Sequence, residues 1–174
     1  VAPVLDPVGA QSCDEGTLIT FTATASDGDF PANSLLFSLV GAPVGASITA
    51  GGVFSWTPTE AQGPGVYTFD VVVTDDGTPN LADSETITVT VNEVNVAPVL
   101  DPIGDQTVEE LTELSFVATA SDADVPAQTL SFSLEDGDGG SVPAGAAISA
   151  GGVFSWTPSE LEGPGVFTFD VVVV

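Results

Sequence analysis

The chain has 174 residues, 25 of them Asp or Glu and none Lys, Arg or His, for a formal charge of −25 at pH 7. Such a surface repels nucleic acid and anionic membranes and attracts cations, while 43% hydrophobic residues with spaced aromatics contradict a disordered polyanion. The missing side chains also rule out a Ser-His-Asp triad, a Schiff-base Lys, a phosphate-binding Arg and Lys-based isopeptide crosslinks, so no enzyme is expected.

In chain order, residues 18–25 alternate Ile19, Phe21, Ala23 and Ala25 with Thr20, Thr22 and Thr24, the pattern of a half-buried strand. Residues 34–40 place Leu35, Phe37 and Leu39 in register, and residues 47–49 and 53–56 flank Gly51-Gly52, a hairpin signal. Residues 66–73 put Tyr67, Phe69, Val71 and Val73 on one side with Asp70 facing away. Residues 85–91 set Glu85, Ile87, Val89 and Val91 against Thr86, Thr88 and Thr90. Turns of Gly, Pro, Asp and Asn separate these segments, and no window carries a 3.6-residue apolar period, so helix should be negligible.

The chain then repeats itself. Val1-Ala-Pro-Val-Leu-Asp-Pro7 returns at 96–102, an offset of 95, and the Gly-Gly-Val-Phe-Ser-Trp-Thr-Pro of 51–58 returns at 151–158, an offset of 100. Two modules are expected, residues 1–94 and 95–174, with five residues inserted in the second at a loop reading Glu135-Asp-Gly-Asp-Gly-Gly-Ser, taken as a solvated acidic turn. About seven short strands per roughly 100 residues fit an all-β, two-sheet sandwich in each module. The second copy is matched through 165–174, but nothing corresponds to residues 74–94, so its last strand is missing and an edge should lie open. Truncation or continuation of the chain is the simpler explanation; strand donation between copies, giving a homopolymer, is the other.

A lone Cys13 cannot form an internal disulfide and is expected as a buried or edge thiol. The chain shows no signal peptide, lipidation motif or membrane-length apolar run, so no membrane insertion is expected. Without an initiator Met it reads as an excised segment. Trp56 and Trp156, each in a strand next to Phe, are read as core residues rather than sugar-stacking platforms. The seam between modules, Val91-Asn-Glu-Val-Asn-Val-Ala-Pro-Val99, brings Glu93 and two Asn ahead of Pro98. Asp122 and Asp124 lie in a loop able to fold back towards it, and the junction is read as a calcium-clamped joint.

The segment running from Val71-Val-Val-Thr-Asp-Asp-Gly to Asn92-Glu-Val-Asn-Val-Ala-Pro98 resembles the end of a cadherin repeat and its linker. With Gly45-Ala-Ser-Ile, Gly52-Val-Phe-Ser-Trp-Thr-Pro and Gly65-Val-Tyr-Thr-Phe-Asp, nearly the whole chain resembles the bacterial cadherin-like, dystroglycan-type and immunoglobulin-like tandem repeats of large surface proteins. The resemblance implies Greek-key sandwiches strung in series with Ca2+ at the junctions. It assigns metal-ligating roles to Glu15 and Glu110, to Glu60 and Glu160, to the Asp-x-Asp pairs Asp27 with Asp29 and Asp122 with Asp124, to the linker residues Glu93 and Asn95, and to Asp75. Val96 replaces the Asp-Asn pair that such linkers carry before Ala-Pro, so fewer ions than a full cadherin joint are expected. Acids in loops are often merely solvated, but their recurrence in both copies favours metal. The expected function is a non-enzymatic extracellular or cell-surface rod stiffened by calcium, with neighbouring repeats as partners. The alternative is a carbohydrate- or protein-binding adhesion module, which would show an exposed aromatic patch.

Overall fold

Alternation of Val, Ile and Phe with Thr and Ser produces strands throughout the computed structural model, which describes residues 1–174, and the only helix is one 3-10 turn, Glu60–Gln62. The chain divides into two units, Val1–Val94 and Asn95–Val174. In the first, β1 (Val4–Leu5), β2 (Gln11–Asp14), β3 (Ile19–Thr22), β4 (Ala25–Ser26), β5 (Leu35–Val40), β6 (Ser47–Ile48), β7 (Val53–Trp56), β8 (Gly65–Asp75) and β9 (Ala82–Asn92) follow in order. They build a four-stranded sheet β2-β9-β8-β5 facing a three-stranded sheet β3-β7-β6, with β1 and β4 as a further pair.

The inward residues of both sheets make the core. Phe54, Val71, Val73 and Val89 have no exposed surface, and Ile87 and Val91 almost none. Phe54 stacks between Phe21, at 4.5 Å, and Phe69, at 5.5 Å, a geometry that adds to area burial. Trp56 packs edge-on against Tyr67 at 5.0 Å. Both Trp are buried, as expected of core residues. The first strand changes partners: β1 runs antiparallel to β4, whereas β2 runs parallel to β9. The switch passes through Pro7 and Gly9, whose φ of 73° is a left-handed conformation natural to glycine. Cys13 lies on β2, the edge strand of its sheet, half-buried and free, and burial raises its thiol pKa, with Asp14 adding to the effect.

The second unit repeats this plan with β10 (Val99–Leu100), β11 (Leu114–Val117), β12 (Ala120–Ser121), β13 (Phe132–Asp136), β14 (Ala147–Ile148), β15 (Val153–Trp156) and β16 (Phe169–Val173). The pairs Phe37 with Val73 and Phe132 with Val173 are equivalent, so the inserted residues fall between β13 and β16. Two expectations are corrected. Glu135 and Asp136 end strand β13 instead of opening a loop. The last strand covers Phe169–Val173, not 165–174, because residues 165–168 lack the neighbour that β9 gives β8.

Candidate metal centres

Three chain crossings bring Glu15, Glu60 and Glu93 together at one end of the first unit, with one carboxylate oxygen of each within 4.8 Å of the others. Glu15 stands in the turn between β2 and β3. Its N–H donates to Asn92 O (3.1 Å) and the N–H of Gly16 to Pro58 O (2.8 Å), which fastens this turn to the end of β9 and the segment after β7. Glu60 opens the 3-10 turn, and Glu93 follows β9 directly. Glu15 is only 5% exposed. Its Oε1 accepts the Val94 N–H at 3.0 Å, while its Oε2 is buried with no hydrogen-bond partner.

Gly63 explains the room beside that oxygen. Its backbone, φ −112° and ψ 152°, is ordinary extended geometry open to any residue, yet a Cβ there would collide with Glu15 Oε2. The glycine is needed for space, not for its dihedrals.

A second group, Asp27, Asp29 and Asp75, meets the same 4.8 Å criterion within the first unit. Asp27 and Asp29 follow β4, and the Asp29 N–H donates to Asp27 Oδ1 (2.8 Å) in an Asx turn. Asp75 ends β8 and is 3% exposed, its Oδ1 accepting the Gly77 and Leu81 N–H groups at 3.0 and 2.9 Å. Asp29 Oδ2 accepts Asn33 Nδ2 at 3.1 Å. Asp27 Oδ2 is buried with no hydrogen-bond partner. The one positive charge in the chain, the Val1 ammonium, sits here, donating to Asp29 Oδ1 at 2.6 Å. That bond raises the pKa of the amine against the opposing effect of desolvation, with the charges of Asp29, Asp27 and Asp75 adding to the rise.

Both groups therefore fit a hard cation. Carboxylates crowd together with no basic side chain to neutralise them, each group holds a buried oxygen without a donor, and one contains a cradle that a Cβ would fill. Calcium takes six to eight such oxygens.

The second unit gathers fewer of the expected residues. Asp122 and Asp124 form the same Asx turn (2.9 Å), and the buried Asp124 accepts the Val96 N–H on both oxygens at 3.1 Å and Gln128 Nε2 at 2.8 Å. Gln128 also donates to Asn95 Oδ1 at 2.7 Å, which ties up the Asn95 side chain. Glu110 and Glu160 are exposed and belong to no group of three acids. Gly63 and Asn33 are the residues that sequence reasoning passed over. The Gly-Pro-Gly-Val of 63–66, repeated at 163–166, was the signal for Gly63, but it reads as a turn.

The family model described as "Putative Ig domain" matches residues 2–92 and again 97–174. No curated protein matches the chain. Among solved structures, human CDH23 EC21-23 superposes with a TM-score of 0.58 at 19% identity, covering 99% of this chain and 63% of that one. Mouse cadherin-23 EC22-24 gives 0.56 at 20% identity, covering 99% and 65%. Drosophila N-cadherin EC1-4 gives 0.62 at 18% identity, covering 99% and 45%. The chain thus spans less than two thirds of each of these structures, and the likeness is one of fold.

Proposed function

The chain belongs to the "Putative Ig domain" family, and from that premise we propose that it is a non-enzymatic structural repeat of an extracellular surface protein, stiffened by calcium. The observation that carries the reading is Glu15, a nearly buried carboxylate with one oxygen free of donors, held against two more carboxylates in a chain without a single basic side chain. Glu15, Glu60 and Glu93 would hold one ion, and Asp27, Asp29 and Asp75 a second. In the second unit Asp122 and Asp124 offer two carboxylates of the same kind. Bound calcium supplies charge neutralisation and a rigid link between strands that otherwise repel one another. On Glu93 it fixes the segment by which the chain leaves the first unit, and that is how metal would stiffen a series of repeats.

Adhesion through the surface is the second reading, and one observation favours it: Phe30 is fully exposed beside the Asp27 and Asp29 turn. A single aromatic makes a poor sugar platform, so the rod remains the preferred function.

Calorimetry at constant ionic strength tests the proposal. A tenfold excess over Kd adds about 1.4 kcal/mol per site, which for a domain of this size raises Tm by roughly 5–10 °C. Millimolar calcium is the working range for extracellular sites of this type, whose Kd is on the order of 10⁻⁴ to 10⁻³ M. An unchanged Tm and an unchanged scattering-derived length between calcium and chelator would reject the metal sites.

A further inference from the structure

In the first unit the outward residues of β5, β8 and β9 form a face of their own. Register sets Leu36, Ser38 and Val40 of β5 beside Thr74, Val72 and Asp70 of β8. These stand in turn beside Ala82, Ser84 and Thr86 of β9. Leu36 and Val40 are 56% and 57% exposed. Asp70 is the one acid of the group, and the Thr86 hydroxyl donates to it at 2.6 Å. In a chain with 25 acids and no basic side chain, this patch is apolar and nearly free of charge. All nine strands of the unit are paired, so the patch does not come from a gap in a sheet. We propose that it is a self-complementary surface on which the first unit of a second copy of this chain docks.

The outward side chains of β5 run large, small, large, so the strand presents the same profile from either end. A second copy laid face to face and antiparallel, with a two-fold axis through Ser38 and Val72, therefore fits the first. Such an isologous contact sets Leu36 against Val40 of the second copy and Val72 against Val72. It also sets the Thr74 hydroxyl against the Asp70 carboxylate, whose other hydrogen bond comes from Thr86. The two Asp70 carboxylates stay apart. They lie on opposite sides of the axis, four residues or about 13 Å from each other along the strand direction, beyond the ~8 Å Debye length of physiological salt.

Charge selects this occupant. A basic partner is drawn to the acid-rich loops, whereas two chains of charge −25 can meet only where acids are absent. The second unit lacks the patch: Ser131 and Glu135 stand where the first unit has Leu36 and Val40, and Glu135 lies opposite Asp170. Each chain thus carries one such surface, and association through it closes at a dimer. The contact is small. Three strands about 4.8 Å apart and about 20 Å long bury less than the roughly 1,200 Å² of a stable complex, so the dimer is weak. Added salt should tighten it by screening the repulsion between the two chains.

The test is sedimentation equilibrium of the full 174-residue chain in chelator, where no bridging cation contributes, at low and high sodium chloride. A monomer–dimer equilibrium with Kd of about 0.1–1 mM is expected, tighter at high salt. Leu36→Ser and Val40→Glu write the second unit's residues into the first, and each should weaken the dimer at least about tenfold. Both positions are exposed, and unchanged far-UV circular dichroism checks that the variants fold; Leu36→Ser alone decides if Val40→Glu does not. Thr90→Glu is the control. It adds the same charge to the same sheet face, six residues along β9 from Ser84 and outside the overlap, and should change Kd less than about twofold. A chain that stays monomeric to about 1 mM overturns the proposal, because another partner or none then covers the patch. Equal weakening by Thr90→Glu, or oligomers that persist in both patch variants, overturns it as well.

Discussion

Glu15 and Glu110 occupy equivalent places in the two copies, yet Glu15 is buried in a group of three carboxylates and Glu110 is exposed. Three like charges held together oppose folding until a cation arrives, so Glu15→Gln should act in opposite directions with and without metal. In chelator it removes repulsion and is expected to stabilise the first unit by about 1 kcal/mol; in millimolar calcium it should lower Tm relative to the parent chain. Melts of both proteins in both buffers check this crossing, and parallel curves would remove Glu15 from the ligand set. Gly63→Ala should lower calcium affinity without touching any charge, because its Cβ would displace the Glu15 carboxylate. The Val1 amine reports on the other group. Its pKa is raised in the folded chain, so the stabilisation it brings is complete below 8.0, the unperturbed value, and fades as pH rises through the folded value. An ion on Asp27, Asp29 and Asp75 competes with the ammonium and should bring its pKa back down, as read by NMR titration of the amine. An amine pKa indifferent to calcium would leave that cluster without a metal.

The hairpin joining β6 to β7 shows how one glycine fixes an element. Gly52 has φ 89°, and a Cβ there would run into the carbonyl oxygen of Ala23, whose own N–H donates to Gly52 O at 2.9 Å. Gly152 repeats the arrangement against Ala118. Gly52→Ala combines a left-handed backbone with a steric clash and should cost about 2–3 kcal/mol, measured by denaturant unfolding. The strands at this scale were largely legible, since Phe21, Phe37, Phe69 and Ile87 each sit on the face that period-two alternation assigned to them. What alternation cannot reveal is the partner of a strand. The division of the first strand into β1 and β2, paired in different sheets, left no trace in the pattern, and β16 is shorter than its sequence suggested because pairing, not propensity, sets its length. The acids were legible as a recurring set of residue types. Their grouping was not, because it depends on which turns the sandwich brings together: Asp75, given a ligand's role by the resemblance alone, is a buried member of the second group with Asp27 and Asp29.

Across the whole molecule the two copies carry nearly the same core residues with unequal closure, and that inequality predicts two separate melting transitions. In the first unit β9 covers Phe69 and Val71 and contributes Ile87, Val89 and Val91 to the interior. In the second the equivalent Phe169 and Val171 stay half-buried along an open groove. Buried apolar area stabilises by roughly 25 cal/mol per Å², so the second unit should melt first. Phe154→Ala should then shift the lower transition and Phe54→Ala the upper one, each by about 3–5 kcal/mol, since both rings are fully buried. Metal should discriminate between them as well, because both groups of three carboxylates belong to the first unit while Glu110 and Glu160 are exposed. Monovalent salt screens the general repulsion of a chain of charge −25 and should raise both transitions together. Calcium at matched ionic strength should raise chiefly the upper one. Differential scanning calorimetry of the parent chain and the two Phe→Ala variants, in sodium and then in calcium, separates these effects. A single cooperative transition, or a calcium shift as large in the lower transition as in the upper, would mean that closure of the core and assembly of the carboxylate groups do not distinguish the two units.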